Sequence, residues 1–437
     1  MADPRFRRWR VLLRRHGPAS AVWRRRIAMG TGAITIGLAA LLFARLADLA
    51  NDQFGHFVAH DRWWALAITP LGFLIITYLT RRLAPEAAGS GIPQVIAAAH
   101  NPKRALRVLL SMRAALIKCA MTMAALLCGA SVGREGPTVQ ISAAILGFYS
   151  RVLRAPVRTS MIIAGGAAGV AAAFNTPLAG VTFAIEELAD AYEQRVALLV
   201  MTTILIAGIV ALGLSGDYVY FGAVGQTMQL GTVLRVAPVA GVAGGLCGGL
   251  FARVLLGLGE TRRRWLPRLD GHPLVWAVLC GLVVAGLGIA TGLTWGTGYS
   301  AARAIIDGSN APWWFGPAKF SATLVTAAAG LPGGIFAPSL ATGAGLGGLL
   351  RLIFPDDPGG AVVLLGMVAY FTGVVRAPLT AVIITVEATA SRTLILPLFL
   401  AALIAHAVSA LVCKERLYHG LAAPWRKVLA GEKAPAA

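Results

Sequence analysis

Glu135 is the residue in this sequence with the most to explain. It stands in Gly133-Arg134-Glu135-Gly136-Pro137, an acid inside an apolar stretch. A carboxylate in such surroundings is costly, so a functional role is its first reading. Its neighbours say what chemistry that would be. Glycine shortly before proline recurs in Gly89-Ser90-Gly91-Ile92-Pro93 and in Gly333-Gly334-Ile335-Phe336-Ala337-Pro338. Proline is favoured in the first helical turn, where its missing N–H is not needed, so each motif predicts a helix start. A helix start offers free N–H groups and about half a positive charge, which together attract an anion. Ser90 adds a hydroxyl at one start. Ile335 and Phe336 add backbone N–H groups at another. Bare dipoles and hydroxyls suit a small, weakly hydrated anion; a multivalent cation would need clustered carboxylates or carbonyls. The Glu135 carboxylate resembles such an anion and could fill the same cradle, and protonation would release it. The alternative is a fixed capping acid.

Other ionisable residues extend the set. Glu186 and Glu187 end an apolar run, and adjacent acids cannot share one helix face. Glu187 is the candidate for function and Glu186 for structure; both could instead cap a helix end. Lys118 and Lys319 lie on helices leading into the glycine motifs, where Lys118 and Arg134 would raise the local positive potential. Either lysine could equally snorkel to an interface. Tyr418 follows the last apolar run, and spacing alone makes it an interfacial tyrosine. Gly129-Ala130-Ser131-Val132-Gly133 fits a nucleophile elbow by letter, but that motif needs a strand before a helix. Of seven histidines, only His406 lies well inside an apolar run. The five cysteines form no CxxC and no metal spacing, so neither a disulfide framework nor a zinc site is expected.

The elements that must position these groups belong in a bilayer. Of 437 residues, 57% are hydrophobic and 13% charged, about half the charge of a soluble chain. Runs without charge, long enough for a bilayer crossing of roughly 20 residues, include 27–44, 63–80, 159–185, 196–216, 273–302, 320–350, 358–375 and 393–413. Glycine and proline cut several of them, at Asn175-Thr176-Pro177 as well as at the motifs above. Broken backbone is tolerated in lipid only where protein or a polar cavity surrounds it, and broken helices mark transport pathways. Gly241, Gly245 and Gly249 recur every fourth residue and suit close helix packing. The formal charge of +20 sits at the ends of the chain and between apolar runs, which excludes a nucleic-acid binder. Nine arginines among the first 26 residues, and Lys414, Arg416, Arg426, Lys427 and Lys433 near the end, predict that both termini are cytoplasmic.

The two halves resemble each other at an offset of 201 residues. Gly133–Pro137 matches Gly334–Pro338, Lys118 matches Lys319, Gly165 matches Gly366, and Pro177 through Glu186 matches Pro378 through Glu387. Glu187 has no such mate, since Ala388 stands opposite it. Gly89-Ser90-Gly91 matches Gly296-Thr297-Gly298 at a slightly larger offset. The expected organisation is a basic cytoplasmic segment at 1–26, membrane repeats at 27–215 and 216–413, and a cytoplasmic helix and tail at 414–437. Repeats of this kind place a substrate between the halves.

At these motifs, together with Phe174-Asn175-Thr176-Pro177-Leu178-Ala179-Gly180, the sequence resembles the CLC family of chloride channels and chloride/proton antiporters. The likeness covers about residues 27 to 430. It implies an all-α polytopic membrane protein of many short, tilted and broken helices in two inverted repeats. It implies a homodimer with a pore in each subunit, contacts lying around 181–212 and 379–411. Motif by motif, Ser90 is similar to the serine that coordinates chloride, and Ile335 and Phe336 to the residues whose N–H groups reach it. Glu135 is similar to the external gating glutamate and Glu187 to the internal proton-transfer glutamate of the antiporters. Tyr418 takes the place of the coordinating tyrosine, against its interfacial reading. Ser90 in place of proline implies chloride over nitrate, and the serine–tyrosine pattern differs from that of the fluoride exchangers.

Two positions depart from the family pattern. Gln94 stands where glutamate is usual, and Ile96 where some bacterial members carry another acid. The implied function is that of a chloride/proton antiporter in a bacterial inner membrane, with chloride and protons as its ions, no cofactor and no enzymatic activity. An uncoupled chloride channel is the nearest rival. A remote one is an intramembrane hydrolase built on Ser131 and His406.

Overall fold

The computed structural model describes residues 21–188, 194–216, 219–265, 267, 271–310 and 312–431. Within them the chain is helical, and the only β-type pairing is one isolated antiparallel bridge between Gly133 and Gly334. The first 20 residues of the basic N-terminal segment and the tail from residue 432 lie outside the described residues.

Among the described residues, seven helices are long and apolar enough to cross a membrane, including Ala21–His60, Leu230–Arg264, Pro273–Thr291 and Phe336–Ile353. The charge-free runs overstate the continuous helices. The run at 159–185 is two helices, Thr159–Phe174 and Pro177–Phe183, followed by a π-turn at Ala184–Leu188. Asn175 breaks it in a left-handed conformation (φ 59°), with Pro177 starting the next helix. The run at 273–302 is likewise divided, because Gly292 turns the chain out of Pro273–Thr291 before Tyr299–Ile306 begins. The run at 320–350 divides at Leu331-Pro332-Gly333-Gly334 into Phe315–Ala328 and Phe336–Ile353. The charge-free criterion passed over Leu230–Trp265, since Arg235 and Arg253 interrupt it.

Glycines set how closely these helices approach. A Cβ at Gly241 would lie 2.9 Å from the Ala401 carbonyl oxygen, and one at Gly245 2.7 Å from that of Ala405. One at Gly249 would lie 3.1 Å from Ser409 Cα. This stripe of Leu230–Trp265 therefore packs on Ile395–Val412. Its neighbours Gly244 and Gly248 press on Ala369 and Gly373 of Gly359–Val375. The same helix thus serves two close interfaces, as small residues do where no hydrophobic effect drives association.

The relation between the halves is visible in reciprocal hydrogen bonds. The Gly133 N–H donates to Gly334 O and the Gly334 N–H to Gly133 O, each at 2.7 Å. The Glu186 carboxylate accepts from Leu379 N (3.1 Å) and Thr380 N (2.7 Å), at the start of Pro378–Thr389. The Glu387 carboxylate accepts from Leu178 N (3.1 Å) and Ala179 N (2.7 Å), at the start of Pro177–Phe183. Each half thus caps the other's broken helix with an anion at its positive end. The antiparallel sense of the glycine bridge is what two inverted halves require.

Candidate functional site

Three helix starts converge where the halves meet. They belong to Ile92–His100, Glu135–Val152 and Phe336–Ile353. Their separation is set by glycine. A Cβ on Gly136 would lie 2.8 Å from Ser90 O and 3.1 Å from Gly334 Cα. A Cβ on Gly91 would lie 2.8 Å from Gly136 O, and Gly91 has φ 105°, a conformation glycine adopts without strain. The Gly89 N–H donates to Gly330 O, and the Gly333 N–H to Gly89 O, both at 3.2 Å. All three turns are therefore tied by backbone.

Two buried lysines brace the turns from behind. Lys118 Nζ donates to Ala87 O (2.9 Å) and Gly89 O (2.6 Å). Lys319 Nζ donates to Thr294 O (2.9 Å) and Gly296 O (2.7 Å) in the matching turn. Both side chains are fully buried, so neither snorkels. Gln94 Nε2 donates to Glu86 O (3.1 Å) and Ala88 O (2.7 Å), which makes this departure from the acid pattern a further brace of the Ser90 turn.

Around the convergence, buried polar atoms are left without partners. Ser90 Oγ, Tyr418 Oη and both Glu135 carboxylate oxygens are enclosed and make no hydrogen bond. Buried polar groups are nearly always satisfied, so this cluster of orphans is the candidate place for a polar ligand. Tyr418 is fully buried, its phenol turned towards Ser90, and its ring lies 5.8 Å from that of Phe336. Phe174, Phe183 and Phe371 also surround Phe336. The interfacial placement of Tyr418 suggested by spacing is therefore incorrect: helix Leu417–Ala430 begins with Leu417 and Tyr418 buried in the protein. Glu135 is fully buried and faces the backbone N–H groups at Ala337 and at its own helix start. A cavity of about 190 Å³ opens beside Ser90, Pro93, Gly333 and Ile335.

Arg134 points away from the cluster. Its Nη1 bonds Asp48 Oδ1 (2.5 Å) and Ala44 O (2.6 Å), and its guanidinium lies over the Tyr220 ring. It walls a vestibule of about 900 Å³ shared with Asn51, Asp52, Thr297 and Tyr299.

Glu187 lies outside the first cluster. The π-turn sends it and Glu186 in different directions, Glu186 to its capping task and Glu187 inward. Both Glu187 oxygens are buried and without hydrogen-bond partners, and His419 Nδ1 is 3.5 Å from Oε1. Tyr418 is within electrostatic reach of both acids. Ser131 and His406 are not brought together. Ser131 Oγ bonds Thr323 Oγ1 (3.0 Å), while His406 packs by the Arg376 backbone. Sequence reasoning passed over His419 and Asp48, since an isolated histidine in a basic tail and an exposed acid in a helix carry no pattern.

The model of the family described as voltage gated chloride channel matches residues 72–410. The chain belongs to this family of voltage-gated chloride channels. Solved structures agree on the fold of this CLC-family chain. It is similar to a slow cyanobacterial Cl⁻/H⁺ antiporter, with a TM-score of 0.79 at 24% identity over 94% of this chain and 99% of that one. It is similar to a eukaryotic CLC transporter, with a TM-score of 0.75 at 23% identity over 91% of this chain and 74% of that one. A CLC-type fluoride/proton antiporter matches with a TM-score of 0.75 at 23% identity, over 89% and 96%. This chain is therefore a multi-pass membrane transport protein with the CLC fold.

Proposed function

We propose that the protein exchanges chloride for protons across a bacterial inner membrane, as a homodimer with both termini cytoplasmic. Chloride lies between Ser90 Oγ, Tyr418 Oη and the N–H groups of Ile335 and Phe336. The observation that carries this reading is the set of unpartnered oxygens where three helix starts meet. An anion would satisfy the hydroxyls and the helix dipoles together. Ionised Glu135 competes with chloride for the outer N–H groups; once protonated it loses its charge and withdraws. Protons reach Glu135 by way of Glu187, past Tyr418. Retention of both Ser90 and Tyr418 supports chloride over fluoride. Chloride and protons are the transported ions, and no resident cofactor takes part.

A second reading, an uncoupled chloride channel, draws on Gln94 and Ile96, which leave helix Ile92–His100 without an acid near Glu187. One experiment separates the two. Purified protein in liposomes is given a chloride gradient and no proton gradient, with a potassium ionophore clamping voltage, and chloride efflux and external pH are recorded together. Uphill proton movement driven by chloride supports the antiporter. Chloride flux without proton movement selects the channel.

A further inference from the structure

We infer that His419 is the proton relay that connects buried Glu187 to water on the face bearing helix Leu417–Ala430, an assignment that rests on the antiporter reading. Glu187 is sealed, its side chain 0% exposed, whereas the side chain of His419 is 27% exposed. The imidazole spans that boundary. Its Nδ1 is enclosed, has no hydrogen-bond partner and lies 3.5 Å from Glu187 Oε1, which also has none. A small side-chain rotation completes the contact. An unpartnered nitrogen aimed at an unpartnered carboxylate in the protein interior is an unfinished proton-transfer pair.

Among the described residues that face Glu187, no other group takes this role at neutral pH. Arg416 and Glu186 act on it from the two flanking segments, and Arg376 from the start of the next broken helix. The guanidiniums stay charged throughout. Arg416 is held by Glu186 O and Arg376 O, and Arg376 by Lys414 O. The carboxylate of Glu186 is committed to Leu379 and Thr380. Helix Ile92–His100 offers no ionisable side chain before His100, whose Nδ1 lies 3.1 Å from Ile96 O. Helix Leu230–Trp265 presents Leu256 to this turn, and Glu415, the exposed acid of the segment before it, lies beside Gly420. His406, on Ile395–Val412, packs by Arg376. Imidazole is the side chain that gains and loses a proton near neutrality.

The transfer balances. Water on the exposed side delivers a proton to Nε2, forming imidazolium. The Nδ1 proton passes to Glu187 Oε1, giving a neutral carboxylic acid and a neutral ring protonated on Nε2. Rotation that brings Nδ1 to water lets the ring take up a proton there and return the Nε2 proton to water, which restores the starting tautomer. His419 and Tyr418 are consecutive, so one helical turn holds both the phenol at the proposed anion site and the relay at the proton site.

The test measures chloride-driven proton flux in liposomes while pH is varied on the face bearing this helix. Wild type, His419→Gln and His419→Glu are compared, with thermal midpoint and gel-filtration profile as folding controls. Wild-type proton flux should fall as pH on that face rises and the relay is loaded less often. His419→Gln should lose that limb and carry about tenfold fewer protons or less, since a positioned acid–base group contributes at least this much. His419→Glu should restore flux with its limb moved to lower pH. A His419→Gln protein with the wild-type rate and profile overturns the relay alone. So does one slowed equally at every pH and not recovered by His419→Glu, which would make His419 a positioning residue. Absence of proton movement in wild type overturns the antiporter reading and the relay with it.

Discussion

Gly136→Ala is a one-methyl perturbation at the point where the three helix starts touch. Gly136 lies in the first turn of its helix with no positive φ. Backbone conformation therefore poses no obstacle, and helix propensity alone predicts a gain of up to about 1 kcal/mol. Contact geometry predicts the opposite. The new Cβ would lie 2.8 Å from Ser90 O and 3.1 Å from Gly334 Cα, both backbone, against ordinary carbon contacts of about 3.5–4 Å. Relief requires the Ser90 turn and the Gly334 turn to part by several tenths of an ångström. Overpacking of this kind costs about 1–3 kcal/mol, which outweighs the propensity gain. The displaced Ser90 hydroxyl or Phe336 N–H weakens a hydrogen bond to a charged ligand, worth about 1.5–3 kcal/mol. Chloride affinity should therefore fall roughly 10- to 100-fold. Titration calorimetry with chloride and thermal unfolding in detergent read the two effects. Gly213→Ala, where nothing lies within 4 Å, is the control and should leave both unchanged or raise stability. A Gly136→Ala protein with wild-type affinity and a raised midpoint would refute the convergence argument.

Further expectations follow from the same contacts. Glu186→Ala and Glu387→Ala each remove a carboxylate holding two backbone N–H groups; each should cost roughly 1–3 kcal/mol, measured as a lowered thermal midpoint. A change in only one of them would contradict the reciprocal role. Lys118→Met should weaken chloride binding about tenfold by freeing the Ser90 turn, within the range for an orphaned buried carbonyl. Lys319→Met, which frees the turn carrying Thr297, should lower stability and leave chloride affinity near wild type in the same calorimetry. Glu135→Gln should move chloride without protons and lose any acceleration as external pH falls. In wild type, acid favours the protonated, withdrawn carboxyl and so raises the rate. Retained proton coupling in the variant, seen with a pH electrode, would remove Glu135 from the pathway.

The three helix starts were legible where backbone grammar encodes them. Gly-Ser-Gly-Ile-Pro, Gly-Arg-Glu-Gly-Pro and Gly-Ile-Phe-Ala-Pro read as helix starts because glycine and proline have so few other uses in an apolar chain. The repeat was legible for a similar reason. Glu186 and Glu387 recur because each caps the other half's helix, and Lys118 and Lys319 because each braces a turn. Span limits were less legible. Absence of charge does not imply continuity, and a left-handed residue such as Asn175 ends a helix inside an apolar run. Leu230–Trp265 was hidden by two arginines that leave its packing stripe intact. Tyr418 and His419 were the least legible. Their neighbours depend on where the last long helix delivers the chain, and local spacing carries no trace of Ser90 or Glu187.

The proposed function places an anion between Ser90, Tyr418 and the Phe336–Ile353 helix start, with Glu135 competing for its outer side. Anomalous diffraction from crystals grown in bromide tests it directly, on wild type and on Glu135→Gln. A bromide peak is expected within hydrogen-bonding distance of Ser90 Oγ and Tyr418 Oη in both. A second peak is expected in Glu135→Gln, where the carboxylate had been. Strong bromide peaks elsewhere in the protein with none at this convergence would contradict it.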